Sequence, residues 1–329
     1  MTSIWLGYAL LTAVVYAGIA LLSKVVSGTE IDDPIRLTVF TCVPFYAVYV
    51  VAGAALEWPS LTGGERGVTA SLLSTPVLAA LLFGVVSTVA YGVYYWGLIN
   101  GDVSRFVPAL ALEIIFVLLL GYLLLGEAFP PGVYAGVGLV VFGALFISYE
   151  RGEGSFRERL SLPTVAVAAA AAVAFAILNT GMKALTDNFG TVELLFWISL
   201  GGLLSVGALA PLHAGSRFRV GGSQFSSVSD NSSAAGFQLT SGERLLLVGG
   251  LLNAVGLFTF LRALEHGPVS LATAITKLDV LLVFVGALAL SKLAPTLLSE
   301  QFDPFTLAQK GSASVIILAG TVVIQFSYA

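Results

Sequence analysis

Apolar residues run through this chain in long blocks that are separated by mostly short polar breaks. A window of about twenty residues, the length of helix that crosses a bilayer, marks ten such blocks. Because backbone groups in hydrocarbon must bond within their own segment, these blocks predict an all-α fold with ten transmembrane helices. The predicted spans lie at about 4–26, 34–56, 76–99, 103–125, 131–149, 163–186, 192–212, 244–265, 268–291 and 307–327.

Two longer polar stretches interrupt this pattern. Residues 151–162 predict a linker that separates a first five-helix unit, residues 1–150, from a second one, residues 163–329. Residues 213–243 are rich in serine and glycine and predict a flexible loop within the second unit, with no core of its own. The remaining connections are short and carry turn-forming residues.

Composition identifies the solvent of this chain. Hydrophobic residues make up 57% and charged residues only 10%, whereas a soluble domain carries about 25% charged residues. We therefore predict a multi-pass protein of the cell membrane, with lipid against most of its surface. The single cysteine, Cys42, excludes an internal disulfide and a cysteine-rich metal site. A net charge of −4 without a basic cluster argues against nucleic-acid binding, and no metal or cofactor motif is present.

An internal repeat relates the two halves. GDVS at 101–104 and GPVS at 267–270 are separated by 166 positions, and the same offset places Glu113 on Asp279. Further matches occur in the same order along both halves, so we predict two five-helix repeats. An odd number of spans turns the second copy upside down, as in many alternating-access transporters. The further matches are Tyr16-x7-Lys24 with Phe175-x7-Lys183, and LGEAFPP (125–131) with LSEQFDP (298–304).

These residues resemble a known family. The aromatic-x7-Lys patterns and the run ALEIIFVLLLGYLLLGEAFPPGVYAGVGLVVFG, with its echo KLDVLLVFVGALAL, are similar to the EamA-type ten-helix carriers of the drug/metabolite transporter superfamily. The resemblance covers nearly the whole chain and is strongest at 94–147. It implies a secondary carrier whose central cavity is lined mainly by spans one, three, four, six, eight and nine. It also implies that the fifth and tenth helices stand outside the transport core.

The leading candidates for chemistry are the two acids at matched positions, Glu113 and Asp279. An acid at mid-helix costs on the order of 3 kcal/mol on insertion scales, so such residues usually face a cavity or a partner. A buried carboxylate there can exchange a proton with water or bind a cationic group. The alternative is a structural acid that hydroxyl groups or a backbone bend satisfy.

Three lysines accompany the acids. Lys277 lies two residues before Asp279, so on one continuous helix the two would point about 200° apart. Lys24 and Lys183 close the first and sixth spans at equivalent places. They either supply positive charge to a cavity or extend to the membrane surface.

Four uncharged polar residues complete the predicted site. Asn179 and Asn253 lie inside the sixth and eighth spans, where an amide either binds substrate or joins two helices. Tyr91 and Tyr95, one turn apart near the end of the third span, either line a pocket or belong to the interfacial aromatic belt.

Glycines predict where helices approach closely, because a missing side chain lets two backbones meet. We assign this packing role to glycines of the fifth and tenth predicted spans. These are Gly136, Gly138, Gly143, Gly311 and Gly320.

The function that these features favour is secondary transport of a small metabolite or organic ion by alternating access, with protons as candidate coupling ions. The expected partners are the small-molecule substrate and membrane lipid, for a monomer or homodimer. A lipid scramblase or channel-like protein is the alternative, followed by an intramembrane lipid-modifying enzyme. No HExxH or GxSxG motif and no ring of charge favours either one.

Orientation stays open, because two arguments conflict. Lysines and arginines are concentrated after the odd-numbered spans, which places both termini outside by the positive-inside rule. The family resemblance places both termini inside.

Overall fold

Helices account for the regular structure in the part of the chain that the computed structural model describes, residues 4–26, 33–57, 74–100, 106, 110–147, 162–214, 241–293 and 304–328. The prediction of an all-α membrane protein is confirmed. The helices are α1 Ile4–Val26, α2 Pro34–Leu56, α3 Thr75–Asn100, α4 Glu113–Leu125, α5 Pro131–Ile147, α6 Leu162–Leu185, α7 Thr191–Ala214, α8 Ser241–His266, α9 Val269–Thr276, α10 Leu278–Leu293 and α11 Pro304–Tyr328.

Length and hydropathy make this a multi-pass protein. Within the described residues, eight helical segments are long and apolar enough to cross a membrane, counting α9 and α10 as one. Helix α5 is shorter, and so is α4 even with the 3-10 turn Leu110–Leu112 that precedes it. Outside the fourth and ninth spans, the helix bounds follow the predicted spans closely, because each apolar block must satisfy its backbone internally.

The ninth predicted span differs from its prediction. It was expected as one helix over 268–291, but α9 ends at Thr276 and α10 begins at Leu278. Lys277 forms the turn between them, with φ −70° and ψ −1°, and its N–H bonds the Ala274 carbonyl. The prediction of one continuous helix is therefore wrong, and the expected angle of about 200° between Lys277 and Asp279, which assumed it, stays a prediction.

Packing between helices joins the two halves of the chain. Helix α1 packs on α8, α9 and α10, whereas α6 packs on α3 and α4. Helix α7 contacts α2 and α3, and α8 contacts α2. Helices α5 and α11 pack extensively on each other.

Glycines bring α5 and α11 together. A Cβ on Gly136 would lie 2.8 Å from the Gly320 carbonyl oxygen, and one on Gly320 would lie 2.7 Å from that of Gly136. Gly143 meets α11 in the same way, at 3.0 Å from the Ala313 carbonyl. The packing prediction is confirmed for these three glycines. It is wrong for Gly138 and Gly311, whose Cβ atoms would meet no described atom within 4 Å.

Several predicted features lie outside the described residues. These are all but the last residue of the predicted linker and residues 215–240 of the predicted loop. The ends of that loop, at 213–214 and 241–243, are helical instead, in α7 and α8.

Candidate functional site

Glu113 is the centre of a polar cluster inside the helical core. It is the first residue of α4 and is only 6% exposed. Its Oε1 accepts a hydrogen bond of 2.7 Å from Asn179 Nδ2 on α6, and its Oε2 accepts one of 2.7 Å from Lys277 Nζ. Both oxygens are thus held by the second half of the chain, 66 and 164 residues away.

Lys277 lies near both acids that the sequence singled out and pairs with one of them. Its side chain is 18% exposed and forms the ion pair with Glu113. The ammonium group also interacts electrostatically with Asp279 and Tyr94. Lys277 lies at the turn between α9 and α10.

Asp279 differs from Glu113 in its partners. It is the second residue of α10, and its buried Oδ1 has no hydrogen-bond donor among the described residues. It interacts electrostatically with Lys277 and Glu113. A carboxylate in the first turn of a helix is stabilised by the positive end of the helix dipole, and both acids share this placement.

Aromatic side chains surround the cluster. Asn253 Nδ2 on α8 donates a hydrogen bond of 2.8 Å to the Tyr91 hydroxyl, and the Tyr91 ring meets Phe175 edge-on at 5.4 Å. Tyr16 on α1 interacts electrostatically with Glu113 and with Asp279. The sequence offered Tyr16 and Phe175 only as repeat markers, although their matched positions were a usable signal.

Two predicted residues bind elsewhere in the described structure, and a third cannot be placed from the described residues. Lys183 Nζ donates to the Leu264 carbonyl at 2.5 Å, near the end of α8. Tyr95 is 5% exposed and packs in an apolar cluster with Leu37 and Leu246. Lys24 belongs to α1, but its side chain lies outside the described residues.

Glu127 has a role that the sequence did not reveal. The repeat matches it to Glu300, which lies outside the described residues. Its carboxylate accepts hydrogen bonds from Val269 N at 2.7 Å, Ser270 N at 3.2 Å and Ser270 Oγ at 2.5 Å. Pro268 supplies no side-chain cap to α9, so Glu127 caps that helix from across the fold.

The backbone conformation of Gly126 directs the following residue, Glu127, toward the start of α9. Gly126 adopts φ +68°, a left-handed conformation that glycine reaches at little cost, and the Glu127 N–H returns to the Gly121 carbonyl at 3.0 Å. Gly121 also leaves room for the cap, since a Cβ there would lie 2.8 Å from Ser270 Oγ.

Two ion pairs lie away from the central cluster, at opposite ends of α8. At its start, Arg36 pairs with Glu243, whose side chain is 1% exposed. At its end, Arg262 pairs with Glu265 and also donates to Thr191 Oγ1 at 3.3 Å. They connect α8 to α2 and α7 outside the region of Glu113.

Comparisons with known proteins agree with this architecture. The sequence pattern of the EamA-like transporter family matches residues 3–149, so the predicted resemblance to the drug/metabolite transporter superfamily is confirmed for this first part of the chain. A solved crystal structure, described only as that of a protein, aligns with a TM-score of 0.64 over 97% of this chain and 95% of that chain. At 19% identity this likeness shows the fold alone. No curated protein matches the sequence.

Proposed function

We propose, from the match of residues 3–149 to the EamA-like transporter family, that this membrane protein is a secondary carrier of a small metabolite or organic ion. It works by alternating access in the cell membrane, with ten spans arranged as two inverted five-helix repeats, residues 1–150 and 163–329. The substrate and protons are its proposed soluble partners, and it acts as a monomer or homodimer.

The pattern of helix packing supports the two-repeat architecture. Suppose that each of the first five spans is exchanged with its counterpart among the last five. The contact between α1 and α8 then becomes the observed contact between α6 and α3, and the contact between α3 and α7 becomes that between α8 and α2. In the same way, the contact between α4 and α6 becomes the contact of α1 with α9 and α10. The contact between α5 and α11 is unchanged by the exchange. A pseudo-twofold relation of this kind supports a central site between repeats that can open to either side.

The observation that carries the proposal is the charged cluster of Glu113, Lys277 and Asp279. Burying charge among apolar helices is costly, and such charge in membrane proteins usually marks a pathway for substrate or ions. One acid comes from each half of the chain, and Lys277 pairs with Glu113 while its charge also acts on Asp279. Relative movement of the halves would therefore change the partners of all three groups.

The proposed mechanism follows from that shared lysine. A proton or a substrate cation that binds one acid weakens its attraction to Lys277 and leaves the lysine to the other acid. The helices that carry these groups, α4 on one side and α9 with α10 on the other, then shift against each other. Asn179 positions Glu113 by its hydrogen bond to that carboxylate, and Asn253 positions the Tyr91 ring by its hydrogen bond to the hydroxyl.

Proteoliposomes test transport and its coupling. Vesicles are loaded with a mixed pool of metabolites and assayed for saturable exchange against labelled members of the pool, with and without a pH gradient. We expect saturable counterflow, which a scramblase or channel does not give, and its loss or its uncoupling from the gradient in Glu113→Gln. The matched control is Asp187→Asn, an exposed acid in the turn between α6 and α7.

Two results would contradict the proposal. Absence of counterflow for every compound in the pool, with correctly folded protein, would remove the carrier function. Gradient-driven transport that is unchanged in Glu113→Gln would remove the coupling role of the cluster.

A further inference from the structure

Helix α9 is held against α4 at both of its ends. Glu127, just after α4, accepts hydrogen bonds from Val269 N and Ser270 Oγ at the start of α9. Glu113, the first residue of α4, pairs at 2.7 Å with Lys277, which follows the last residue of α9. Since the residue before α9 supplies no side-chain cap, two acids from the first half of the chain fix the position of this short helix.

The two contacts match the spacing of the facing helices. A Cβ on Gly121 would lie 2.8 Å from Ser270 Oγ, so the start of α9 lies against the last third of α4. Gly121 follows Glu113 by eight residues, and Lys277 follows Ser270 by seven, which is about 10–12 Å along either helix. The two helices therefore run antiparallel, and each end of α9 meets one acid.

The start of α9 closes one end of the helical bundle. All eight residues of α9 are at most 4% exposed. A Cβ on Gly267 would lie 2.7 Å from the Trp5 ring, and the Tyr328 ring meets those of Trp5 and Phe129 edge-on, at 6.2 and 6.1 Å. The closed end is the one at which α1 begins and α11 ends, and we call it the α1 face.

One buried hydroxyl on α9 opposes this closure. Thr273 is 1% exposed, and its Oγ1 has no hydrogen-bond partner among the described residues. It lies one turn after Ser270, on the same side of the helix. An unpaired polar group in the core costs free energy that contact with water would recover. The position of α9 therefore depends on the two acids that hold it.

We propose that Glu127 is a positioning residue that keeps the central site closed toward the α1 face. While Glu127 caps α9, that helix stays on α4 and Lys277 stays within reach of Glu113. Protonation of Glu113 removes the hold at the other end of α9, so the helix moves away from α4 and opens the site to the α1 face. This inference rests on the proposed alternating access, because such a carrier closes one face at a time.

Cysteine labelling measures this opening. The reporter is Thr273→Cys in a Cys42→Ala background, where it is the single cysteine of the chain. A membrane-impermeant maleimide is added to intact cells that express the full-length protein and to inverted vesicles prepared from them. The exposed marker Asp187→Cys, in the same background, identifies the α1 face, because Lys183 and Thr191 on either side of it bind the end of α8.

Loss of the cap should expose the reporter. We expect Glu127→Gln to raise the labelling rate of Thr273→Cys at least about tenfold, in the preparation that labels Asp187→Cys. Tenfold corresponds to about 1.4 kcal/mol in the opening equilibrium. Glu113→Gln should also raise the rate, an effect that a purely local cap would not produce. Glu127→Asp, which keeps the charge, should restore part of the protection.

Two controls separate opening from general loss of structure. Cys42, tested in a chain that keeps Thr273, is 0% exposed and should stay unlabelled in Glu127→Gln. Glu193→Gln changes a half-buried acid in the first turn of α7, on the same face, and should leave the reporter's rate unchanged. If Glu127→Gln does not fold, Ser270→Ala removes only the 2.5 Å bond from the serine hydroxyl and should raise the rate about threefold.

Several outcomes would overturn the inference. These are an unchanged labelling rate in Glu127→Gln or in Glu113→Gln, labelling only from the face opposite the Asp187→Cys marker, parallel labelling of Cys42, and an equal rise in Glu193→Gln. Labelling needs no substrate, so failure of the carrier function is distinguishable. The expected labelling without counterflow of any compound would contradict the carrier function alone, whereas counterflow with an unchanged labelling rate would contradict the inference alone.

Discussion

Replacing Lys277 by methionine removes the base that pairs with the buried Glu113, and its cost can be worked from the geometry. The Nζ to Oε2 distance is 2.7 Å, with the side chains 18% and 8% exposed. At an effective dielectric constant of about 20 the gross attraction is about 6 kcal/mol. Breaking a buried pair from one side costs about 3–5 kcal/mol, because the remaining charge is left uncompensated. We expect Lys277→Met to lower the free energy of unfolding by that amount.

Glu113→Gln should cost less, about 2 kcal/mol, for two structural reasons. Glutamine can keep the hydrogen bond from Asn179, and Lys277 keeps a second carboxylate nearby in Asp279. The loss is then close to that of one charge-assisted hydrogen bond.

The double variant isolates the interaction between the two groups. The variant with both Glu113→Gln and Lys277→Met removes both charges of the pair, so neither remains without its partner. Its loss of unfolding free energy should therefore be at least ~1.5 kcal/mol smaller than the sum of the two single losses. Reversible unfolding in mixed micelles measures all four proteins. Additivity within ~0.5 kcal/mol would refute the ion pair, and so would a Lys277→Met variant as stable as the native protein.

Three further substitutions test contacts outside the cluster, again by unfolding in mixed micelles. Glu127→Gln should cost about 1.5–3 kcal/mol by weakening the charge-assisted cap of α9; a cost near zero would contradict the cap. Gly136→Ala should cost about 1–3 kcal/mol, because its Cβ would lie 2.8 Å from a backbone carbonyl, whereas Gly138→Ala should be nearly neutral. Tyr46→Phe should cost about 1 kcal/mol, since its hydroxyl bonds two hydroxyl groups on α3, and the exposed Tyr122→Phe serves as control.

The central acids show how far pattern and spacing can reach. The repeat offset predicted that Glu113 and Asp279 occupy matched positions, and the structure brings both to Lys277. The sequence could not predict that the two acids differ in their hydrogen bonds, because this depends on which donors reach each carboxylate oxygen. Asn179 and Lys277 reach Glu113, whereas the described donors leave one oxygen of Asp279 free.

The structural roles of Glu127 and Lys277 could not be predicted from the local sequence. Glu127 looks like a residue at the end of a helix, and its three hydrogen bonds cross 142 or 143 residues of sequence to the start of α9. Lys277 looks like an interior residue of a long helix, and it forms a turn instead. Local sequence propensity does not encode the contacts of these two residues, because their partners lie on helices that are distant in sequence.

The sequence by itself determined that this chain is a helical membrane protein, since apolar blocks of bilayer length leave the backbone no other way to satisfy its hydrogen bonds. It also singled out Glu113 and Asp279 as acids at matched positions within apolar runs. Only the tertiary structure decided how those groups pair. Pairing depends on distances of a few ångströms between helices far apart in sequence, and the packing of the whole chain sets those distances.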